Sequence, residues 1–123
     1  MRLRTTLLLS CLLAGFVLAS GPLAAAKDHK NFVLYNESGG SIDGFYFSPS
    51  GWEDWGYNQL ADGPLEHGEW IWNRHNYRER YFDMRFELES GYAFEIEEVD
   101  LAEVLRIYVR CNGTRCWVDY AYE

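Results

Sequence analysis

The sequence predicts an all-β fold: a small antiparallel β-sandwich of about seven strands behind a cleaved signal peptide. Three observations carry this expectation. Short runs of alternating apolar and polar residues recur along the chain, with turn residues roughly every 8–12 positions. An apolar leader precedes them. Near the end, two cysteines bracket an Asn-Gly pair, as a disulfide-closed hairpin would require.

The leader spans residues 1–26. Arg2 and Arg4 form its positive start, residues 7–18 are apolar, and Ala24-Ala25-Ala26 satisfies the small-x-small cleavage rule. The apolar run is too short for a membrane span, and Cys11 lies inside it, so no membrane anchor is expected. The mature domain, residues 27–123, is expected to be periplasmic or secreted. The Ala-rich cleavage region points to a bacterial leader. In a eukaryotic setting Asn36-Glu37-Ser38 and Asn112-Gly113-Thr114 would be glycosylation sequons.

Export changes the charge balance. The chain has 11 Lys and Arg against 19 Asp and Glu. Arg2 and Arg4 leave with the leader, so nine basic residues face nineteen acidic ones. A net charge of −10 argues against nucleic acid as a partner, since phosphate binding needs a basic footprint. It is compatible with a basic protein partner, with cation binding, or with solubility alone. Aromatics make up 17% of the sequence. A domain of this size hides only about 60% of its surface, so some rings must face solvent.

In chain order, residues 31–35 and 42–47 flank the turn 36–41 and are expected to form a first hairpin. A long loop follows, residues 48–68. Most connections in compact domains run about 4–6 residues. Disordered segments are poor in aromatics, yet this one holds Trp52, Trp55, Tyr57, Leu60 and Leu65. It is expected to be ordered, either as a cap on the core or as a recognition loop. Trp55, before Gly56, is expected to be its buried anchor, with Trp52 nearer solvent. Residues 69–72 form a short strand in which Trp70 and Trp72 are expected in the core. Residues 74–80 carry no assignable pattern.

The two later hairpins are sharper. Phe82, Met84, Phe86 and Leu88 alternate with Asp83, Arg85 and Glu87, and Phe94 and Ile96 alternate with Glu95 and Glu97. Pairing about Ser90 sets Phe86 opposite Phe94, Met84 opposite Ile96 and Arg85 opposite Glu95, which satisfies both faces at once. Asp100 is positioned to cap one helical turn before residue 105. In the final hairpin Cys111 faces Cys116, Val109 faces Val118 and Ile107 faces Tyr120, leaving Tyr108, Arg110, Trp117 and Asp119 on the other side. A Cys111–Cys116 disulfide is expected, structural rather than redox-active.

The run NESGGSIDGFYFSPSGWEDWGYNQL, with Leu65 and Gly68, resembles small exported single-domain β-sandwich proteins of unknown function. Their pattern is N-x-[ST]-G…Y-x-S-P-S…W-G-x-[ND]-x-L, met here by Asn36, Ser38, Gly39, Tyr46, Ser48, Pro49, Ser50, Trp55, Gly56, Asn58 and Leu60. The resemblance implies the fold and export, and carries no catalytic residue.

The chemistry-bearing residues give little. His29, His67 and His75 have no nucleophile–acid set around them. Zinc would need three or four ligands at suitable spacing, and the loop's oxygen-bearing side chains, Glu53, Asp54, Asn58 and Asp62, lack the regularity of a dedicated calcium site. No catalytic residue, metal or cofactor is expected. The sequence therefore points to a non-enzymatic exported protein acting through protein–protein contacts, of an inhibitor or immunity type. The competing readings are a carbohydrate-binding module, a calcium-binding sandwich and an uncharacterised hydrolase. The expected binding residues are Trp52, Glu53, Asp54, Tyr57 and Asn58 on the loop, with Tyr108, Arg110 and Trp117 on the last hairpin. The oligomeric state is not legible.

Overall fold

The computed structural model describes residues 31–122; the expected leader lies outside them. The described residues are all-β, with seven strands: β1 (Phe32–Glu37), β2 (Ile42–Pro49), β3 (Trp70–Asn73), β4 (Tyr81–Leu88), β5 (Ala93–Asp100), β6 (Arg106–Cys111) and β7 (Cys116–Ala121). One sheet runs β3-β1-β6-β7 and the other β2-β4-β5. All ladders are antiparallel except β1–β6, which is parallel.

The two sheets share one core. Phe32, Leu34, Ile107 and Val109 come from the four-stranded sheet, and Phe45, Phe47, Phe82, Met84 and Phe86 from the other. Phe32 meets Phe45 and Phe47 edge-on at 6.1 and 5.5 Å, the aromatic preference that locks two inner faces together. Phe86 stacks between Phe45 (5.1 Å) and Phe94 (5.0 Å) within its own sheet.

Both sequence-derived hairpins have the expected register. Phe86 faces Phe94, Met84 faces Ile96 and Arg85 faces Glu95. Gly91 turns that hairpin at φ +95°, a conformation only glycine adopts cheaply. Cys111 faces Cys116 at disulfide distance, and Asn112 Oδ1 accepts from the Thr114 and Arg115 N–H groups to close the turn. Near the far end of β4 and β5 the register slips. Glu98, at φ 55°, bends the strand so that Val99 faces inward again, and Asp83 Oδ1 accepts its N–H. Residues 101–103 then make one turn, with Asp100 Oδ1 accepting from Ala102 N–H and the Asp100 carbonyl from Val104 N–H.

The expected first hairpin does not form. β1 and β2 belong to different sheets. The reason is Asn36, fully buried where a turn residue was expected. Its Nδ2 donates to the carbonyls of Gly40 and Leu65, both at 2.7 Å, and its Oδ1 accepts from Ser38 N–H at 2.9 Å. This bends the chain across the sandwich instead of back along β1. A buried, fully bonded Asn36 also leaves no room for a glycan at the first sequon.

The long loop is ordered and shorter than expected at its start, because Ser48 and Pro49 complete β2. Its buried residues are Leu60 and Leu65, while Trp55 is only half-buried. Leu65 makes a reciprocal bridge to Ile42, and Gln59 N–H donates to the Phe45 carbonyl, so the loop seals the edge of β2. The loop is therefore anchored by Leu60 and Leu65, beside the backbone bonds that tie it to β2, and not by Trp55. Residues 74–80 form no regular element, with His75 and Tyr77 packed on Phe47 and Phe82 at 5.2–6.2 Å.

Two outcomes follow. Asn36→Ala removes three side-chain hydrogen bonds at a buried corner and is expected to cost about 3 kcal/mol, read from urea unfolding midpoints; a loss under about 0.5 kcal/mol would mean that the corner holds itself. The Arg80 guanidinium, at 2.8 and 2.9 Å, holds the Asp100 carboxyl below its ordinary value of 3.8, and the Ala102 N–H adds to this. A carboxylate depressed on folding stabilises above its unfolded pKa and loses that contribution as pH falls through the folded one. Asp100→Ala is therefore expected to cost about 1 kcal/mol near neutral pH and to converge with the parent in acid melts only once the parent's carboxyl is protonated, below the ordinary aspartate range. A loss independent of pH would remove the carboxylate from the explanation.

Candidate functional site

β3 was expected to bury its tryptophans, and it does the reverse. Trp70 is 58% and Trp72 41% exposed, while Ile71 packs against the core and Asn73 is buried. Parity is set by the neighbouring strand. Leu34 of β1 points inward and faces Ile71, so Ile71 and Asn73 share the inner side and Trp70 and Trp72 the outer.

The register lays the outer face out in rows. Trp70, Tyr35, Tyr108 and Asp119 stand side by side across β3, β1, β6 and β7; Trp72, Val33, Arg106 and Ala121 form the next row. Tyr35 stacks on Tyr108 at 4.8 Å and 17°, and lies 6.3 Å from Trp70. Arg110 closes the patch: it bonds Glu37 at 2.7 Å and Asp119 at 2.6 Å and lies over the Tyr108 ring at 5.0 Å. Glu37, and then Asp119, push the pKa of this guanidinium further up, fixing its charge. Arg74 lies over Trp72 at 5.9 Å and Arg115 over Trp117 at 5.3 Å. Three arginines thus stack on three of the face's rings.

Trp70 and Trp72 form a crest between two shallow grooves. One, of about 530 Å³, is floored by Val33, Tyr35, Leu105 and Arg106. The other, of about 930 Å³, lies between β3 and residues 59–66 of the long loop. The opposite outer face, on the three-stranded sheet, is acidic, with Asp83, Glu87 and Glu95 around Arg85, which bonds Glu87 and Glu95.

The expected site residues fall into two groups that no described contact joins. Tyr108 and Arg110 lie in the aromatic face, with Trp117 beside Arg110 and half-buried. Trp52 is 54% and Tyr57 74% exposed on the loop, with Glu53 and Asp54 also exposed. Trp52 leans edge-on against Tyr77 at 5.7 Å. Asn58 has a different job from the one expected. Its Oδ1 accepts from Phe45 and Leu60 N–H, and its Nδ2 donates to the Asp43 carbonyl, each at 3.0 Å, so it clamps the loop to β2. Sequence reasoning missed Tyr35, Trp70, Trp72 and Arg74 as surface residues. Among the described residues, no three His, Cys, Asp or Glu side chains come together as metal ligands would. His67 Nδ1 accepts from Gly39 N–H, a corner contact.

Comparison with protein-family models, curated proteins and solved structures returned no match.

Titration with N-bromosuccinimide should oxidise Trp52, Trp70 and Trp72 before Trp55 and Trp117, as read by peptide mass. Late oxidation of Trp70 and Trp72 would put their rings back in the core.

Proposed function

We propose that this protein is a non-enzymatic binding protein whose contact surface is the outer face of the four-stranded sheet, crested by Trp70 and Trp72. The observation that carries the reading is the exposure of two adjacent tryptophans beside Tyr35, Tyr108 and stacked arginines. Trp, Tyr and Arg are the residues that dominate protein–protein hot spots. They are also the residues a soluble surface otherwise avoids clustering.

A carbohydrate platform is less well supported. Sugar binding needs open ring faces, and Tyr35 and Tyr108 spend theirs on each other, while guanidinium groups cover Tyr108 and Trp72. A partner protein can instead use the ring edges, the arginine donors and the grooves on either side. The acidic opposite face supplies charge for solubility and steering. Export through the leader would place the encounter in the periplasm or outside the cell, and the inhibitor or immunity role stays within this reading.

The test is a photo-crosslinking residue at position 70 or 72 in producing cells. A discrete protein adduct is expected there, and none from the same residue at position 95 on the acidic face. The Trp70→Ala, Trp72→Ala double variant should stay within about 1 kcal/mol of parental stability and bind the captured protein at least ~100-fold more weakly. Absence of any adduct, with glycan-array binding lost in the double variant, would transfer the surface to carbohydrate.

A further inference from the structure

The backbone of β3 has an open side, and its geometry can be read residue by residue. Asn36 N–H donates to the Glu69 carbonyl, whereas Val33 N–H donates across to Leu105 in the β6 direction. Even-numbered residues of β1 therefore bond towards β3. Their partners in the antiparallel register are Ile71, opposite Leu34, and Asn73, opposite Phe32. Trp70 and Trp72 consequently aim their own N–H and C=O groups away from the sheet. Among the described residues nothing bonds to them, and they face the larger groove.

That groove has a wall. Residues 59–65 lie along the edge of β2, bonded there through Gln59 and Leu65, so their other side looks across at β3. Leu60 and Leu65 supply apolar surface to the groove, and Asp62, Glu66 and Glu69 outnumber Arg74 as its charged lining. At the end of β3 sits Asn73, whose Nδ2 is buried with no hydrogen-bond partner. Both edges of the three-stranded sheet are blunted: β2 by this loop, and β5 by its bulge and by Glu95, Glu97 and Glu98.

We infer that the larger groove accepts an extended, basic peptide segment of the partner protein, which adds to β3 as a further strand. Two residues of the free edge offer up to four backbone hydrogen bonds, the source of affinity in strand addition. Trp70 and Trp72 flank the added strand on its solvent side, and the loop wall with its acids flanks it on the other. Charge complementarity selects a basic sequence, since the groove lining is net negative. The inference rests on the crest being the binding surface and adds the form in which the partner meets it.

The probe is a displayed library of random 12-residue peptides, followed by a synthetic copy of the enriched sequence. The enriched set should be net positive. Saturation should slow amide hydrogen exchange at Trp70 and Trp72 at least 50-fold and leave Ile71 and Asn73, already bonded to β1, little changed. N-methylation of alternate peptide residues should abolish binding while the residues between tolerate it. Trp72→Pro, which deletes an edge N–H that β1 does not use, should weaken binding at least tenfold beyond Trp72→Ala. If the proline variant does not fold, the exchange and methylation measurements on the parent protein decide alone. No enriched peptide, an acidic set, protection appearing at β7 instead, or bound peptide with unprotected Trp70 and Trp72 amides would each overturn strand addition. A crosslinked protein partner that still depends on both tryptophans would survive such a failure and keep the binding surface. Loss of that dependence too would remove both.

Discussion

One buried amide sets the geometry on which the exposed surface depends. Asn36 uses its side chain for three hydrogen bonds, its N–H for the Glu69 carbonyl and its carbonyl for Gly68 N–H. Those contacts reach the corner before β2, the last buried residue of the long loop and the approach to β3. A buried polar group is costly unless it is satisfied, and here satisfaction is possible in one arrangement of all three segments. The corner sends the chain into the second sheet. The loop end is held where Leu65 can bridge Ile42, and β3 starts in register beside β1. The outward turn of Trp70 and Trp72 is the last link of that chain.

The two outer faces divide the labour of an acidic protein. Carboxylates on the three-stranded sheet keep it hydrated and discourage edge pairing at β5. On the other sheet the acids are spent as partners of Arg110, which leaves a surface dominated by rings and guanidinium groups. Net charge describes only one of them. A chain read only by its overall acidity would be assigned a uniformly anionic surface, whereas its aromatic face is locally balanced.

Sequence made the fold class and two hairpins legible because their faces contrast. Phe86 and Phe94 against Arg85 and Glu95, or Val109 and Val118 against Arg110 and Asp119, admit one register. The Trp-Ile-Trp run offers no such contrast, since all three residues are apolar, and the polar Asn73 shares parity with the buried Ile71 and misleads further. Asn36 sits in an Asn-Glu-Ser-Gly-Gly string that reads as a turn, and nothing local reveals that its amide reaches Leu65. The parallel partnership of β1 with β6 is likewise non-local and leaves no periodic mark. Of the expected site residues, Tyr108, Arg110 and Trp117 are placed on one outer face by hairpin parity, which sequence alone supplies. Trp70, Trp72 and Tyr35 were missed because their exposure is decided by which strands lie beside them.

The parallel β1–β6 ladder has a consequence for how the domain comes into being. Its crossover is everything between the two strands, and that includes the entire three-stranded sheet. The four-stranded sheet therefore cannot be completed before every residue of its neighbour has been made, whereas the three-stranded sheet needs nothing that follows residue 100. Domains dominated by such distant pairings fold on the millisecond-to-second scale and lack stable fragments. A nascent or clipped chain that ends ahead of β6 leaves Phe32 and Leu34 without half their surroundings, on a strand whose second edge is bare. Exposed core residues beside an unpaired strand edge are the combination that favours aggregation, so for this topology the last third of the chain protects the first strand.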